Sequence, residues 1–371
     1  MTPDELTARY LLSRSLWWRH DLEQLDAEAV AAVIAALETA QKDIAARLSA
    51  EAAGLVNLSD WRREQDEALN AWADEVLAGA RATITGTVSE ASIAAAVASL
   101  AAYNAILTLD GKASAAKSVG LTTAQIRAWF QDTALGAGGL EHWVDTALDN
   151  GVKQSILAAL RQVAVEGKGT AEAVRRVLVA ASDAGFELTK REAITITRTF
   201  VQTANVNAQE AVYKANEGLF KGYKYVATLG NRTCPLCLFA DGAVYNIGEQ
   251  RPALPRHPRC RCLYIPVAKS WRDFGIDVDD LEAVARPWTL RDPGSIGAGG
   301  RKIENYGKTT ENFSGWWASL SDADKAKTAI GPIRRRLLES GAVKWDQMWD
   351  KATGLPLTLE QMGYDRQGNR L

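Results

Sequence analysis

The 371-residue sequence predicts a mainly α protein with long N-terminal helices, one small α+β domain around a cysteine cluster, and a loop-rich C-terminal tail. Three observations predict this. Pro3 is the only proline before Pro235, and the other nine lie from Pro235 onward. Alanine has the opposite bias, with 24 in the first 100 residues. All four cysteines fall between Cys234 and Cys262. Proline breaks helix interiors and alanine favours them most, so residues 4 to about 218 read as almost all helix.

Thr2-Pro3-Asp4-Glu5 places a capping Thr, a first-turn Pro and a reciprocal Glu in helix-start order. Leu22, Leu25, Val30, Val33, Leu37, Ile44 and Leu48 recur mostly three, four or seven apart and form one apolar stripe. A second long helix from Ser59 to about Leu109, broken near Gly79 or Gly86, would pair with it. Thr122–Gln125 and Thr189–Glu192 are further capping boxes. Helices are expected over Leu140–Val165, Thr170–Ala184 and Thr189–Glu217, with Gly218 as a stop. Phe220–Leu229 is aromatic and β-branched, a strand signal. Residues 291–302 read as linker. Ser321–Ser340 reads as a capped helix interrupted at Pro332, and Leu357–Met362 as a final turn.

Forty-three basic residues against 45 acidic ones give a net charge of −2, which argues against a dedicated duplex-DNA coat. A local basic patch remains: Arg251, Arg256, Arg259, Arg261, Lys269 and Arg272 lie in a segment with no acid, and Arg334-Arg335-Arg336 forms a second cluster. Arg251, Arg256, Arg259 and Arg261 are the candidate phosphate contacts. No stretch reads as the ~20 apolar residues of a membrane helix, and the N-terminus lacks the pattern of a secretory signal. A cytoplasmic protein without a membrane partner is expected.

In Cys234-Pro-Leu-Cys237 and His257-Pro-Arg-Cys260-Arg-Cys262, a Cys-x-x-Cys pair is joined by a second pair downstream, the spacing of a structural zinc site. Cys260 and Cys262 on a strand would leave one face together while Arg261 leaves the other. Five candidate ligands compete for four positions: three or four thiolates, with His257 as a ligand or a hydrogen-bonding neighbour. The fold class is thus mainly α with a small α+β zinc-knuckle-like domain. A catalytic reading fares worse. No His-x-Glu partners a Pro-Cys-x-x-Cys, and His-Glu-x-x-His is absent. The Asp241-Gly242 turn after Cys237 argues against a thioredoxin-like helix. No enzyme is expected.

As a set, these residues resemble one family. Ile196-Thr-Arg198-Thr199, Asn205 and Asn207 on a helix precede the strand Lys224–Leu229, then Asn231-Arg-Thr-Cys-Pro-Leu-Cys, Asp241-Gly242 and Pro255-Arg-His-Pro-Arg-Cys-Arg-Cys. The order is similar to the head-morphogenesis domain of tailed-phage minor head proteins of the Mu F type, over about residues 165–268. The resemblance implies a minor capsid protein inside the virion head. It would bind the portal protein and assist procapsid assembly and DNA packaging or ejection, after a stage in the host cytoplasm. Scaffold or major capsid protein and genomic DNA are further implied partners. The expected domains are 1–165, helical and partner-binding; 166–268, with the knuckle; and 269–371, the tail. A sequence-tolerant zinc module for nucleic acid is the alternative, and a zinc enzyme a more remote one. Arg198, Thr199, Asp241 and Gly242 are expected to be structural, with Arg198 reaching the knuckle domain at backbone carbonyls or at Asp241.

Overall fold

The computed structural model describes residues 3–55, 63–108, 115–132, 139–165, 172, 175–176, 179, 184–231, 233–268, 286–290, 305–309, 313–351 and 353–371. The expected linker at 291–302 and most of the helix expected over 170–184 lie outside them. Long helices come first: α1 (Pro3–Leu55), α2 (Arg63–Thr108), α3 (Thr123–Asp132), α4 (Leu140–Leu148), α5 (Gln154–Val165) and α6 (Ala184–Ala215). Short elements follow: β1 (Phe220–Val226), α7 (Pro235–Leu238), β2 (Val244–Asn246), β3 (Leu263–Ala268), β4 (Arg286–Leu290), β5 (Asn305–Thr309), α8 (Phe313–Ala318), α9 (Asp322–Ala326) and α10 (Pro332–Glu339). The architecture is mainly α with a small α+β part, as the proline and alanine distributions predict.

The chain divides into two compact units, neither of them continuous in sequence. One comprises Asp21–Ser99 and Gly120–Asn207. Its core takes Leu22, Val30, Val33 and Leu37 from the predicted stripe of α1. Ala73, Val76, Leu77, Ile84 and Val88 of α2 are buried as well, as are Val144 and Leu148 of α4 and Ile196 and Phe200 of α6. Helix α2 runs unbroken through Gly79 and Gly86, against expectation. A helical glycine costs about 1 kcal/mol, which packing on either side outweighs. By length and composition, Asn70–Thr108 meets the requirement for a membrane-crossing helix, also against expectation. Its buried positions recur at helical spacing and include Ser92 and Ser99, whose hydroxyls bond Val88 O and Asn205 Oδ1. In this fold that stripe is core.

Between α4 and α5 the helix widens into a π turn, Asp149–Lys153. Asp149 pairs with Arg81 Nη2 at 2.9 Å, and Lys153 Nζ with Asp74 at 2.7 Å. Arg81 also reaches Asp74 and Asp145, each at 3.0 Å.

The other unit comprises Met1–His20, Leu100–Val119 and Ala208–Leu371. Its centre is an antiparallel sheet of order β2-β1-β3. Tyr223 lies opposite Tyr245 on one side and Pro266 on the other. Tyr213 of α6 stacks on Tyr223 and meets Phe220 edge-on, so the helix end covers the sheet with aromatic surface. At Gly222 a Cβ would lie 2.4 Å from Tyr245 O, so only glycine lets β2 approach β1 there. A second core joins Leu229, Leu238 and Phe239 to Phe313, Trp316, Trp317, Ile330, Leu337 and Met348. The helix expected over Ser321–Ser340 is two helices, α9 and α10, with Pro332 as the first residue of α10. The chain from Phe313 onward is therefore packed against the segment that carries Cys234 and Cys237.

Candidate metal centre

Cys234 is the N-cap of the single turn α7, whose first residue is Pro235, and its carbonyl accepts from the Cys237 and Leu238 amides. A first-turn proline has no N–H to leave unsatisfied and a φ already suited to the helix. Sequence reasoning expected a metal knuckle here and argued against a thioredoxin-like helix; the one-turn helix sets Cys234 and Cys237 three residues apart on one face. The turn at Asp241-Gly242 follows as expected. Gly242 adopts a φ of 86°, its N–H donates to Tyr225 O, and the chain re-enters the sheet as β2.

The second half of the cluster is a tight loop. The Cys260 N–H donates to His257 O at 3.0 Å, and Arg259 takes a left-handed φ of 60° to close it. Cys260 and Cys262 precede β3 instead of lying on it, which corrects the strand expectation. The reason is the length of β1: it ends at Val226, opposite Leu263, so earlier residues have no ladder partner. The alternation survives, with Cys260 and Cys262 buried and Arg261 exposed.

These two pieces bring all five candidate ligands together. Cys234, Cys237 and His257 form one group and Cys237, Cys260 and Cys262 another, each with ligand atoms within 4.8 Å of one another. His257 Nε2 lies 3.1 Å from Cys234 Sγ and 3.3 Å from Cys237 Sγ, and Cys237 Sγ is 4.0 Å from Cys260 Sγ. Zinc–sulfur and zinc–nitrogen bonds of about 2.3 and 2.0 Å imply ligand atoms roughly 3.5–3.8 Å apart in a tetrahedron, and the three contacts straddle that range. His257 Nδ1 lies 2.8 Å from Pro258 O, so its N–H is committed to the backbone and Nε2 faces the sulfurs.

Electrostatics match a cation site. Hydrogen bonding from Cys237 holds the Cys234 thiol down, to about 4, with His257 adding to it and burial opposing. Cys260 is lowered by Cys237 and Cys262. Cys237 is raised by its thiol neighbours, Cys234 first, and Cys262 by burial. The Cys234 and Cys260 thiols lift His257 to about 10. These directions favour the charged forms of His257, Cys234 and Cys260 and the neutral forms of Cys237 and Cys262; a divalent ion would replace the imidazole proton and those of the remaining thiols. The donor set, soft sulfur with one imidazole, fits zinc.

Among the residues expected to be structural, Arg198 Nε faces Asp26 Oδ2 at 3.2 Å, within the helical unit. Asp241 accepts from the amides of Ala227, at 2.7 Å, and Phe313, at 2.6 Å. Thr199 is buried, and its hydroxyl donates to Thr195 O.

Among the four candidate phosphate contacts, Arg251 and Arg256 have guanidiniums engaged inside the fold. Arg251 Nη2 donates to both carboxylate oxygens of Glu210, at 2.9 and 2.7 Å. Its guanidinium lies over the rings of Tyr223 and Tyr264, at 4.2 and 4.3 Å. Arg256 donates to Leu236 O, between the paired cysteines, and to Gly354 O in the tail. Arg259 and Arg261 are exposed. In the second basic cluster, Arg334 donates to Leu357 O and Arg336 to Gln367 O.

Sequence reasoning missed Glu210, whose pairing with Arg251 spans 41 residues. It also missed Tyr225, buried behind the thiols with its phenol pushed up by that burial. The Tyr223/Tyr225 repeat on β1 was the available signal.

Residues 154–265 match the family model described as Phage Mu protein F like protein. No curated protein and no solved structure matches the chain. The matched segment contains all four cysteines and His257.

Proposed function

We propose that this protein is a minor head protein of a tailed phage or prophage, bound to the portal inside the head, and that its Cys/His cluster is a structural zinc knuckle. In this reading it assists procapsid assembly and DNA packaging or ejection. Scaffold or major capsid protein are further partners during assembly in the host cytoplasm. The observation that carries the reading is the convergence of four thiols and an imidazole within the segment that matches the Mu F-like model. Four of Cys234, Cys237, His257, Cys260 and Cys262 would hold the ion. Four protein donors leave no position for a substrate or a water, which favours a structural over a catalytic role. The ion would supply folding energy to a loop-rich stretch, about 10–16 kcal/mol in isolated zinc peptides.

Co-expression with the portal protein of the same phage tests the function: the chain should co-purify with portal rings and be found in mature virions. A chain that stays off portal rings and is absent from virions would overturn it. Elemental analysis tests the metal, with about one zinc expected per chain. Exposed Arg259 and Arg261 beside the cluster support a second reading, a nucleic-acid contact that weakens steeply with salt.

A further inference from the structure

The unit formed by Asp21–Ser99 and Gly120–Asn207 holds a cavity that the proposed function does not use. It has a volume of about 310 Å³ and lies between α4 and the first half of α6. The Thr189 hydroxyl bonds Ala147 O at 3.3 Å and ties those two helices together. Trp143, Ala147 and Ile196 give the cavity an apolar wall, while His142, Thr195 and Glu192 bring polar groups to it. His142 is exposed and therefore sits at the rim.

Glu192 is the unusual member. Its Oε2 is fully buried with no hydrogen-bond partner. Burial is the main influence on its carboxyl and raises its pKa, while Arg191, the next residue on the same helix, acts weakly the other way. Burying a carboxyl oxygen without a donor is costly. A mainly apolar pocket holding one unsatisfied polar atom has the form of a ligand site, in which that atom fixes the ligand's orientation.

We propose that this cavity binds an alkylammonium group, its methylenes against Trp143, Ala147 and Ile196 and its nitrogen donating to Glu192 Oε2. A cation restores the compensation that the buried Oε2 of the half-buried Glu192 lacks, and an indole in the wall adds to its attraction. One unsatisfied oxygen suits a compact ammonium better than a guanidinium, whose planar fork calls for two acceptors. The same chemistry comes from a lysine side chain of a partner protein or from a free diamine.

Ligand-observed NMR on the full chain, titrated at fixed ionic strength, tests this. n-Butylammonium should bind saturably, at least tenfold tighter than n-butanol and tighter than ethylguanidinium. Glu192→Gln, which keeps the shape and removes the charge, should weaken the amine at least tenfold and leave n-butanol unchanged. Thr146→Trp, at an exposed position on the cavity lining, should abolish binding of both and guards against a folding failure of the first variant. Nα-acetyl-lysine amide and putrescine then separate the sources: whichever binds tighter is the natural form of the ligand, and either supports the site. Absence of saturable amine binding to the wild type, or equal affinity in Glu192→Gln, overturns it.

Discussion

Asp241 is the residue whose removal should cost the knuckle unit most for the fewest atoms changed. Its carboxylate takes one amide from Ala227, the residue after β1, and one from the first residue of α8, Phe313, at 2.7 and 2.6 Å. These two donors are 86 residues apart in sequence, so the side chain closes a long loop and starts the helix that carries Trp316 and Trp317. Hydrogen bonds to a charged group contribute about 1.5–3 kcal/mol each. Asp241→Ala strips the acceptor from two amides and should cost roughly 3–6 kcal/mol. Asp241→Asn keeps one acceptor oxygen but turns an NH2 toward the other amide, so about 2–3 kcal/mol is expected. Urea unfolding read by tryptophan fluorescence reports the difference, because Phe313 packs on Trp316 and Trp345 in the same core. Hydrogen exchange localises it: the Phe313 and Ala227 amides should lose protection before the amides of β1 paired with β3. If both variants stay within about 0.5 kcal/mol of wild type, the range of a surface substitution, the carboxylate is not the tie described here.

Gly222→Ala should destabilise the sheet by about 1–3 kcal/mol or prevent β2 from pairing, since the added methyl would meet Tyr245 O at 2.4 Å. Denaturant midpoints and loss of protection at the β2 amides would show it. Arg251→Lys keeps the charge but loses the two-pronged contact with Glu210 and the stack between Tyr223 and Tyr264; a loss of about 1–2 kcal/mol in unfolding free energy is expected. Arg81→Gln should cost about 1 kcal/mol, discounted because Asp74, Asp145 and Asp149 are all partly exposed. Burial opposes, but hydrogen bonds from Lys153 and Arg81 hold the Asp74 carboxyl below its ordinary range. Its contribution is therefore present above the unfolded value near 3.9 and lost as pH falls through the lower folded one, so the gap between wild type and Arg81→Gln should close in acid. Zinc chelation should expose Cys237, Cys260 and Cys262 to thiol reagents, and unchanged reactivity would count against a bound ion.

The Cys/His cluster was legible because its residue types are rare elsewhere in the chain, so clustering survives any error in secondary structure. Arg198 was less legible. Cost of burial argues for a partner, yet sequence cannot say which of many acids it meets, and Asp26 on α1 lies 172 residues away. The two capping boxes show the same limit. At Thr122 the exchange is real: Thr122 N–H donates to Gln125 Oε1 and Gln125 N–H to Thr122 Oγ1. At Thr189 it is not, because α6 already runs from Ala184 and the buried hydroxyl bonds Ala147 O instead. A cap motif states a local preference, and packing of α6 against α4 overrides it. The basic run from Arg251 to Arg261 misled in a similar way, since spacing in sequence does not reveal a Glu210 that consumes one guanidinium.

The π turn at Asp149–Lys153 sets the phase of everything beyond it. An α-helix rotates about 100° per residue, and a π turn commonly represents one residue inserted into such a helix. Deleting one residue there would let α4 run into α5 as uninterrupted α-helix. It would also turn Ile156 and Leu157 out of the core by about 100° and carry Lys153 away from Asp74. The bulge thus works as a frame marker. Among relatives, a chain one residue shorter at this point should have moved its apolar pattern along α5 by one position, and an alignment that places its gap elsewhere would pair core residues with solvent-facing ones.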